Sequence, residues 1–337
     1  MPSGRQAVRG VAVVAATLLG TFGVAVTPAT AGGSSDSVVS IESTRSASAL
    51  RAYWTPERRR QATPEKPVRV HEAATSAVPS SRLPAQSKPG TTPTLRLSPR
   101  GDVGVQDITT AQLWEPHGQM PATTIGKLYY TRDDGSGGYC SASVINAENL
   151  STIWTAGHCV HGGGADHGWF SDFLFMPDYD NGNAIGSWSW KQVSSTNGWV
   201  QNGDWQYDLA AIALWPNDLG AVADYTGSQG YKFNQGYNWN VDEFGYPQDA
   251  VPARTDLTGE RLYYCQGPTS EFSGFMEIGC DMFHGASGGP WLDDLQVSRG
   301  WGYIVGANSW HYFDFSTYRS AYHGDAAINV FNTIRTV

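Results

Sequence analysis

Three polar residues of this chain have the types and the order that nucleophilic catalysis requires. His158 ends an apolar run at 152–159, Asp208 heads another at 209–214, and Ser287 stands among glycines. A serine hydroxyl attacks a carbonyl efficiently only if a base takes its proton, and imidazole titrates near neutral pH. A carboxylate can hold that imidazole in the useful tautomer. The pattern therefore predicts Ser287 as nucleophile, His158 as general base and Asp208 as the group that orients it.

The glycines around Ser287 predict a second chemical element. In Gly285-Ala286-Ser287-Gly288-Gly289-Pro290, the N–H groups of Gly285 and Ser287 can converge on one point. Such a pair of donors stabilises the oxyanion of a tetrahedral intermediate. A side chain at position 285 would hinder the turn that aims its N–H inward.

The order His–Asp–Ser, with 50 residues from His158 to Asp208 and 79 from Asp208 to Ser287, resembles the trypsin-like (chymotrypsin-fold) serine proteases. The resemblance is to the secreted bacterial branch, which includes glutamyl endopeptidases and actinobacterial trypsin-like peptidases. It implies an all-β fold of two Greek-key barrels with a short C-terminal helix. It also implies a serine endopeptidase that works through an acyl-enzyme and needs no cofactor.

The resemblance extends to a strand after the serine. Residues 304–311 are similar to the family strand that lines the primary specificity pocket. By this resemblance Ser309 contacts Asp208, Trp310 forms a pocket wall, and His311 replaces the usual glycine and narrows the cleft. Core packing is the alternative for Trp310 in a chain with 13 tryptophans.

Side-chain specificity stays open at this level. Asp281 lies six residues before Ser287, where trypsin-like enzymes place a carboxylate for Arg or Lys, but it could instead be a solvated neighbour of Cys280. Glutamyl endopeptidases place a histidine where this chain has Asn308, and His284 or His311 could substitute for it. A large hydrophobic side chain beside Trp310 is the third possibility.

The four cysteines predict two disulfides. Residues 265 and 280 are 15 positions apart, which suits a bridge across a hairpin. The family resemblance implies the second bridge, which ties the histidine loop to the neighbouring strand. The predicted pairs are Cys140–Cys159 and Cys265–Cys280.

Two groups of residues resemble metal sites only superficially. A site formed by His158, Cys159 and His161 would lack a Cys-x-x-Cys pair and would consume the general base. Residues 178–183 look superficially like a calcium loop, but the sixth position is Asn183 and the twelfth is not acidic. A hairpin turn rich in Asp, Asn and Gly is the favoured interpretation. No metal site is predicted.

The N-terminus predicts an exported precursor. Arg5 and Arg9 precede an apolar core at Val11–Val26, and 29–31 form a small-x-small cleavage site. Residues 1–31 are therefore predicted to be a signal peptide, and the mature protein should be secreted, soluble and extracellular.

Residues 32–105 are predicted to be a pro-segment, largely disordered because Ser, Thr, Pro, Ala and Arg dominate it. One local exception is a short helix that Thr55 could cap, with Pro56 in its first turn. Tyr53 and Trp54 are a candidate docking handle on the protease domain; isolated aromatics in a flexible tail are the alternative.

Residues 106–337 are predicted to be the protease domain. Short β-rich runs with turn residues between them are typical of barrels or sandwiches. The terminal pattern 327–337 favours a helix with Val330, Phe331 and Ile334 on one face. The candidate strands are 125–131, 139–145, 152–155, 170–176, 188–193, 209–213, 303–307 and 326–328.

Charge divides the chain and limits its partners. Residues 1–100 carry 13 basic and 5 acidic side chains, whereas residues 101–337 carry 9 and 26. The acidic part argues against nucleic acid and anionic membranes and would attract cationic peptides, including the basic upstream segment. The expected partners are protein or peptide substrates and the chain's own pro-segment, and a monomer is expected. The alternative is a non-catalytic exported β-protein that binds glycans or proteins through a surface rich in Trp and Tyr.

Overall fold

The computed structural model describes residues 1, 34–66, 79–93, 107–248, 254–312 and 316–337. Apart from Met1, the predicted signal peptide lies outside these residues. The strands of the N-terminal half are β1 (Val38–Glu42), β2 (Thr63–Pro64), β3 (Gln86–Lys88), β4 (Ile108–Leu113), β5 (Ile125–Thr131), β6 (Gly137–Val144), β7 (Thr152–Thr155), β8 (Ser171–Pro177), β9 (Trp188–Thr196) and β10 (Ala210–Leu214).

The remaining strands are β11 (Gly230–Phe233), β12 (Asn240–Gly245), β13 (Tyr263–Pro268), β14 (Ser270–Phe272), β15 (Phe275–Gly279), β16 (Pro290–Gln296), β17 (Trp301–Ala307) and β18 (Thr317–Ala321). The helices are α1 (Ala47–Tyr53), α2 (Pro56–Gln61), α3 (Asn197–Asn202), α4 (Val222–Thr226) and α5 (Asp325–Ile334). No helix among the described residues is long and apolar enough to cross a membrane.

Two β-structures form the body of the protein. In the first, strands pair in the order β9-β10-β7-β6-β5-β8, and β8 pairs with β9 to close a six-stranded barrel. Closure leaves no free strand edges within the barrel itself. In the second, a seven-stranded sheet runs β3-β11-β17-β16-β12-β13-β4, with a three-stranded sheet β14-β15-β18 beside it. The predicted all-β class with two barrels of the chymotrypsin type is confirmed.

Helix α5 closes the chain as the 3.6-residue pattern predicts. Val330, Phe331 and Ile334 are all buried, and Tyr231 packs on Phe331 with ring centroids 4.6 Å apart. The predicted strand 326–328 is wrong because these residues belong to the first turns of α5. A short apolar run does not distinguish a strand from a buried helix.

The upstream segment is ordered where it is described. Strand β1 pairs antiparallel with β9, β2 pairs with β6, and β3 pairs with β11. Thr55 caps α2 by accepting from the N–H of Arg58, as predicted. The prediction of a largely disordered segment is therefore wrong for 34–66 and 79–93, since backbone pairing with strands of the two β-structures supplies the order that the composition does not.

Trp54 anchors this segment. Its side chain is 2% exposed, its Nε1–H donates to the carbonyl of Asp172 at 2.5 Å, and its ring lies 5.4 Å from that of Tyr129. The hydroxyl of Tyr53 lies 3.1 Å from Thr131 Oγ1. Both aromatic side chains therefore contact the first barrel instead of standing free in solvent.

We expect Trp54→Ala to loosen residues 34–66 from the first barrel. Removing a fully buried Trp costs about 3 to 5 kcal/mol in a core, and the cost here falls on the docked segment. Hydrogen exchange of the strand β1 amides should accelerate, while β6 and β7 remain protected. Trp215→Ala is the matched control, because that side chain is 37% exposed. Equal exchange in the two variants would contradict the anchoring role.

Candidate active site

Pairing of β7 with β10 positions the first two residues of the site. The strands are antiparallel, with Thr155 opposite Ala210. His158 follows the end of β7 by three residues, and Asp208 precedes the start of β10 by two. Both side chains therefore leave the barrel at the same edge.

Asp208 and His158 are joined by two hydrogen bonds. The ring Nδ1 of His158 lies 2.8 Å from Asp208 Oδ2, and the backbone N–H of His158 donates to Oδ1 at 2.6 Å. Both residues are buried. Asp204, four residues before Asp208, instead caps a short 3₁₀ turn by accepting from the N–H of Gln206. The structure brings Asp208, and not Asp204, to His158.

Small and aromatic neighbours keep this pair in place. A Cβ on Gly157 would come within 2.8 Å of the Trp199 ring and 3.0 Å of Asp208 Oδ1, so only glycine allows the close approach. The rings of Trp199 and Trp205 lie 6.3 Å and 5.8 Å from the His158 ring. Both indole rings therefore pack beside the imidazole that Asp208 holds.

The loop 285–290 carries Ser287 between β15 and β16. The N–H of Ser141 on β6 donates to the Ser287 carbonyl at 2.7 Å. A Cβ on Gly289 would lie 1.9 Å from the Phe244 carbonyl oxygen, so the loop packs against β12 too closely for any side chain there.

Asn308 holds the same loop in place through hydrogen bonds, a role that the sequence did not predict. Its backbone carbonyl accepts from the Gly288 N–H at 2.7 Å, and its side-chain Nδ2 donates to the Ala286 carbonyl at 3.0 Å. Its Oδ1 accepts from Trp291 Nε1 at 2.5 Å. Because both ends of this buried amide are occupied, Asn308 fixes the serine loop.

The peptide between His284 and Gly285 is oriented by the protein. The His284 carbonyl accepts from the Gln248 N–H at 2.7 Å. In a trans peptide the N–H points opposite to the carbonyl, so the Gly285 N–H faces the other way. There it donates to the carbonyl of Glu65 at 3.0 Å. Gly285 has φ +85°, a conformation that favours glycine.

Ser287 and His158 are not hydrogen-bonded to each other. Both Ser287 Oγ and His158 Nε2 are buried, and no hydrogen bond joins them among the described residues. Burial raises the pKa of Tyr318, and the Ser287 side chain lowers it part of the way, so the phenol is neutral at neutral pH.

The strand after the serine behaves partly as predicted. Ser309 Oγ donates to Asp208 Oδ2 at 2.5 Å, which confirms the expected contact. Trp310 is fully buried, with its ring edge-on to Phe275 at 5.1 Å.

His311 and His284 lie close together beside Phe283. The His311 ring is 4.2 Å from the Phe283 ring and 5.8 Å from the His284 ring. The imidazole of His311 therefore occupies space that a glycine would leave open.

Asp281 does not supply a free negative charge. Its carboxylate accepts from the Ala111 N–H at 2.6 Å and pairs with Arg254 Nη1 at 2.6 Å. Arg254 also contacts Asp256 at 2.9 Å. The expectation that Asp281 presents an unpaired carboxylate to a basic substrate side chain is not met, because a cation of the chain already neutralises it.

Two further acidic residues, Asp242 and Glu243, are buried on β12. Burial raises the pKa of Glu243 well above its ordinary value, with Asp281 adding to the effect. Burial likewise raises the pKa of Asp242 to about 7, partly offset by a hydrogen bond from Gln266. The sequence of 240–245 does not alternate between polar and apolar residues, and nothing in it predicted that two carboxyl groups would be buried in a strand.

Both predicted disulfides are present. Cys140 bonds to Cys159, and Cys265 to Cys280. The first ties the histidine loop to β6, as the family resemblance implied.

The segment 178–183 is a turn, as predicted. Asp180 and Asn183 exchange backbone hydrogen bonds of 2.9 Å around Asn181-Gly182. Asp178 accepts from the Gly118 N–H and contacts His117.

Solved structures similar to this one are bacterial proteases. Protease Anisep from Arthrobacter nicotinovorans has 31% identity and a TM-score of 0.59, covering 67% of this chain and all of its own. The thermostable serine protease AL20 from an extremophilic microorganism has 28% identity and a TM-score of 0.58, covering 64% of this chain and 98% of its own. A Glu endopeptidase has the same fold at 21% identity, with a TM-score of 0.54 over 68% of this chain and 96% of its own.

The chain belongs to the chymotrypsin-fold serine proteases, in their bacterial branch. No family model matches it. A curated relative, the "Extracellular metalloprotease" of Bacillus subtilis (strain 168), is 34% identical over 95 residues. That alignment covers 28% of this chain and 27% of the relative, so the chain spans about a quarter of that protein's length.

We expect Asp281→Asn to lower the free energy of unfolding by about 1 to 3 kcal/mol, because a partly buried, charge-assisted hydrogen bond to Arg254 is weakened. Asp256→Asn, at the other and half-exposed partner of Arg254, should cost less than about 1 kcal/mol. Urea unfolding at neutral pH measures both. A larger loss in Asp256→Asn would contradict this account of the pair.

Asp242→Asn should change the pH dependence of stability. Because burial raises the Asp242 pKa from 3.8 to about 7, the folded state keeps a proton that the unfolded chain has released. Stability from this group is present at low pH and is lost as pH rises from about 4 to about 7. The asparagine variant should match the parent near pH 4 and exceed it above pH 7, measured as thermal midpoints. An unchanged difference across that window would contradict burial of the carboxyl.

Proposed function

We propose that this chain is a secreted serine endopeptidase in which Ser287, His158 and Asp208 form the catalytic triad. The observation that carries the proposal is the pair of hydrogen bonds from His158 to Asp208, at 2.8 Å through Nδ1 and 2.6 Å through the backbone N–H. This contact leaves Nε2 as the nitrogen that faces away from the carboxylate.

Peptide hydrolysis follows from these positions. Ser287 Oγ attacks the substrate carbonyl while His158 Nε2 takes the hydroxyl proton, and Asp208 stabilises the imidazolium that forms. The proton then passes to the leaving amine, and an ester on Ser287 remains. Water then attacks the ester: Nε2 accepts a proton from the water and returns it to Ser287 Oγ as the ester bond breaks, and the acid product leaves.

The N–H groups of Gly285 and Ser287 are the proposed donors to the oxyanion. Orientation of the Gly285 peptide by Gln248 supports this assignment. Donors fixed in advance need no reorganisation when the negative charge develops. The hydrogen bond between Ser287 and His158 forms, in this proposal, when substrate closes the site, since catalytic hydrogen bonds commonly tighten in the complex.

The chain is proposed to be made as a pre-pro-protein. Residues 1–31 are the signal peptide, 32–105 the pro-segment and 106–337 the catalytic domain, which acts as a monomer on protein or peptide substrates. The two disulfides fit an oxidising extracellular environment. The match to Protease Anisep spans 67% of this chain and all of that one, which fits a catalytic domain preceded by an additional segment.

Ser287→Ala and His158→Ala should each lower peptide hydrolysis by about 10⁴-fold or more, because the triad acts as a unit. Asp208→Asn should lose about 10⁴-fold through the wrong imidazole tautomer. Steady-state hydrolysis of a casein or peptide library by the secreted protein measures the loss, and Asp204→Asn is the matched control.

A fluorophosphonate probe should label the parent but not Ser287→Ala. Undiminished hydrolysis by a folded Ser287→Ala protein would overturn the triad. Absence of labelling and hydrolysis in every form would favour the non-catalytic binding protein instead.

A further inference from the structure

Residues 63–65 of the upstream segment lie across the candidate active site. Thr63 and Pro64 pair with Gly138 and Tyr139 of β6 in parallel. The Glu65 N–H donates to the Tyr139 carbonyl at 3.0 Å, and the Glu65 carbonyl accepts from the Gly285 N–H at 3.0 Å. The backbone of Glu65 therefore takes one of the two donors proposed for the oxyanion.

The carboxylate of Glu65 is held as closely as its backbone. Its Oε2 accepts from the Tyr130 hydroxyl at 2.6 Å and from Arg132 Nε at 2.9 Å. The Tyr130 side chain is fully buried, and its ring stacks on Phe170 at 5.0 Å. A buried phenol aimed at a carboxylate is a donor in a fixed position.

Arg132 also contacts the backbone on either side. Its guanidinium donates to Thr63 Oγ1 and the Thr63 carbonyl, each at 3.2 Å, and to the Pro64 carbonyl at 3.4 Å. Arg132 is itself oriented by the Gly137 carbonyl at 3.0 Å. These contacts suit an extended peptide that carries an acidic side chain, because the guanidinium of Arg132 donates both to the peptide backbone and to the carboxylate.

We propose that Tyr130 and Arg132 form a subsite of the cleft that binds an acidic side chain of a peptide, and that Glu65 fills this subsite as a tethered occupant. Filling it places the Glu65 carbonyl on the Gly285 N–H, so the precursor blocks its own oxyanion hole. Once Glu65 leaves, the same subsite accepts an acidic residue of the substrate. The inference rests on the proposed function, because the blockade matters only if Ser287 is the nucleophile.

The first test measures fluorophosphonate labelling of Ser287 in the intact full-length chain, resolved by gel from any processed form. Glu65→Ala and the isosteric Glu65→Gln should each label about tenfold faster or more than the parent, because a charge-assisted contact is lost. Glu57→Gln is the matched control; Glu57 pairs with Arg60 within α2, away from the cleft. Thermal midpoints confirm that each variant is folded.

The second test restores the blockade in trans. A peptide Ala-Thr-Pro-Glu-Lys, the sequence of residues 62–66, should slow labelling of full-length Glu65→Ala, whereas its Glu-to-Gln counterpart should be at least about tenfold weaker. Adding Arg132→Gln or Tyr130→Phe to Glu65→Ala should abolish the difference between the two peptides. Arg45→Gln, at a partly exposed ion pair with Asp172, should preserve it.

The outcomes separate the two proposals. If the intact Glu65 variants label as slowly as the parent, or both peptides compete equally, the subsite is wrong although Ser287 still reacts in the processed protein. If no form of the chain labels at any rate above Ser287→Ala, the proposed function itself fails.

Discussion

The site depends on one buried carboxylate. Asp208 is 1% exposed, and an ionised carboxylate at such a position is tolerated only when hydrogen bonds replace its lost hydration. Three donors reach it: the His158 N–H and ring Nδ1, and the Ser309 hydroxyl. His158 comes from the first barrel and Ser309 follows β17 of the second β-structure. The carboxylate of Asp208 therefore receives all three hydrogen bonds only when the two β-structures meet at this point.

The same requirement explains the glycines nearby. Gly157 lets the His158 backbone approach the carboxylate, and Gly289 lets the serine loop pack on β12. A side chain at either position would push these groups apart and disrupt the arrangement of the site. The buried amide of Asn308 then fixes the loop that presents Ser287, since each of its polar atoms is already bonded within the protein.

The upstream segment is integrated into both halves by backbone pairing. Strands β1 and β2 join the sheet of the first barrel, and β3 joins that of the second. Asp325, at the start of α5, accepts from Ser80 and from the backbone of Arg82 and Leu83. A segment held by edge pairing and a few anchors such as Trp54 is ordered in the full chain, yet it buries less apolar surface than the barrels do. Such a segment is suited to the removal that the proposed pre-pro organisation requires.

From the sequence alone came the prediction of a three-residue site and several features of local structure. Residue type and order identified His158, Asp208 and Ser287 as a group, and local spacing identified the Cys265–Cys280 bridge, the Thr55 cap and helix α5. Each of these features depends either on residues that are close together in the sequence or on a combination of residue types that is typical of one chemistry. Most strands of the second half, including β12, β13 and β16, were not predicted. In β12, burial on both faces removes the alternation that marks a strand.

Tertiary structure alone decided which charges remain free and what lies in the cleft. Asp281 stands six residues before Ser287, where trypsin-like enzymes place a carboxylate, but only the fold shows that Arg254 pairs with it. Glu65 had no signal at all, because an acidic residue in a polar tract is ordinary. Its carboxylate meets Tyr130 and Arg132, and its carbonyl meets Gly285, only after contacts spanning 65 to 220 residues of chain have formed. The type of each side chain is given by the sequence. Its hydrogen-bond and ion-pair partners depend on which distant residues the two β-structures bring together.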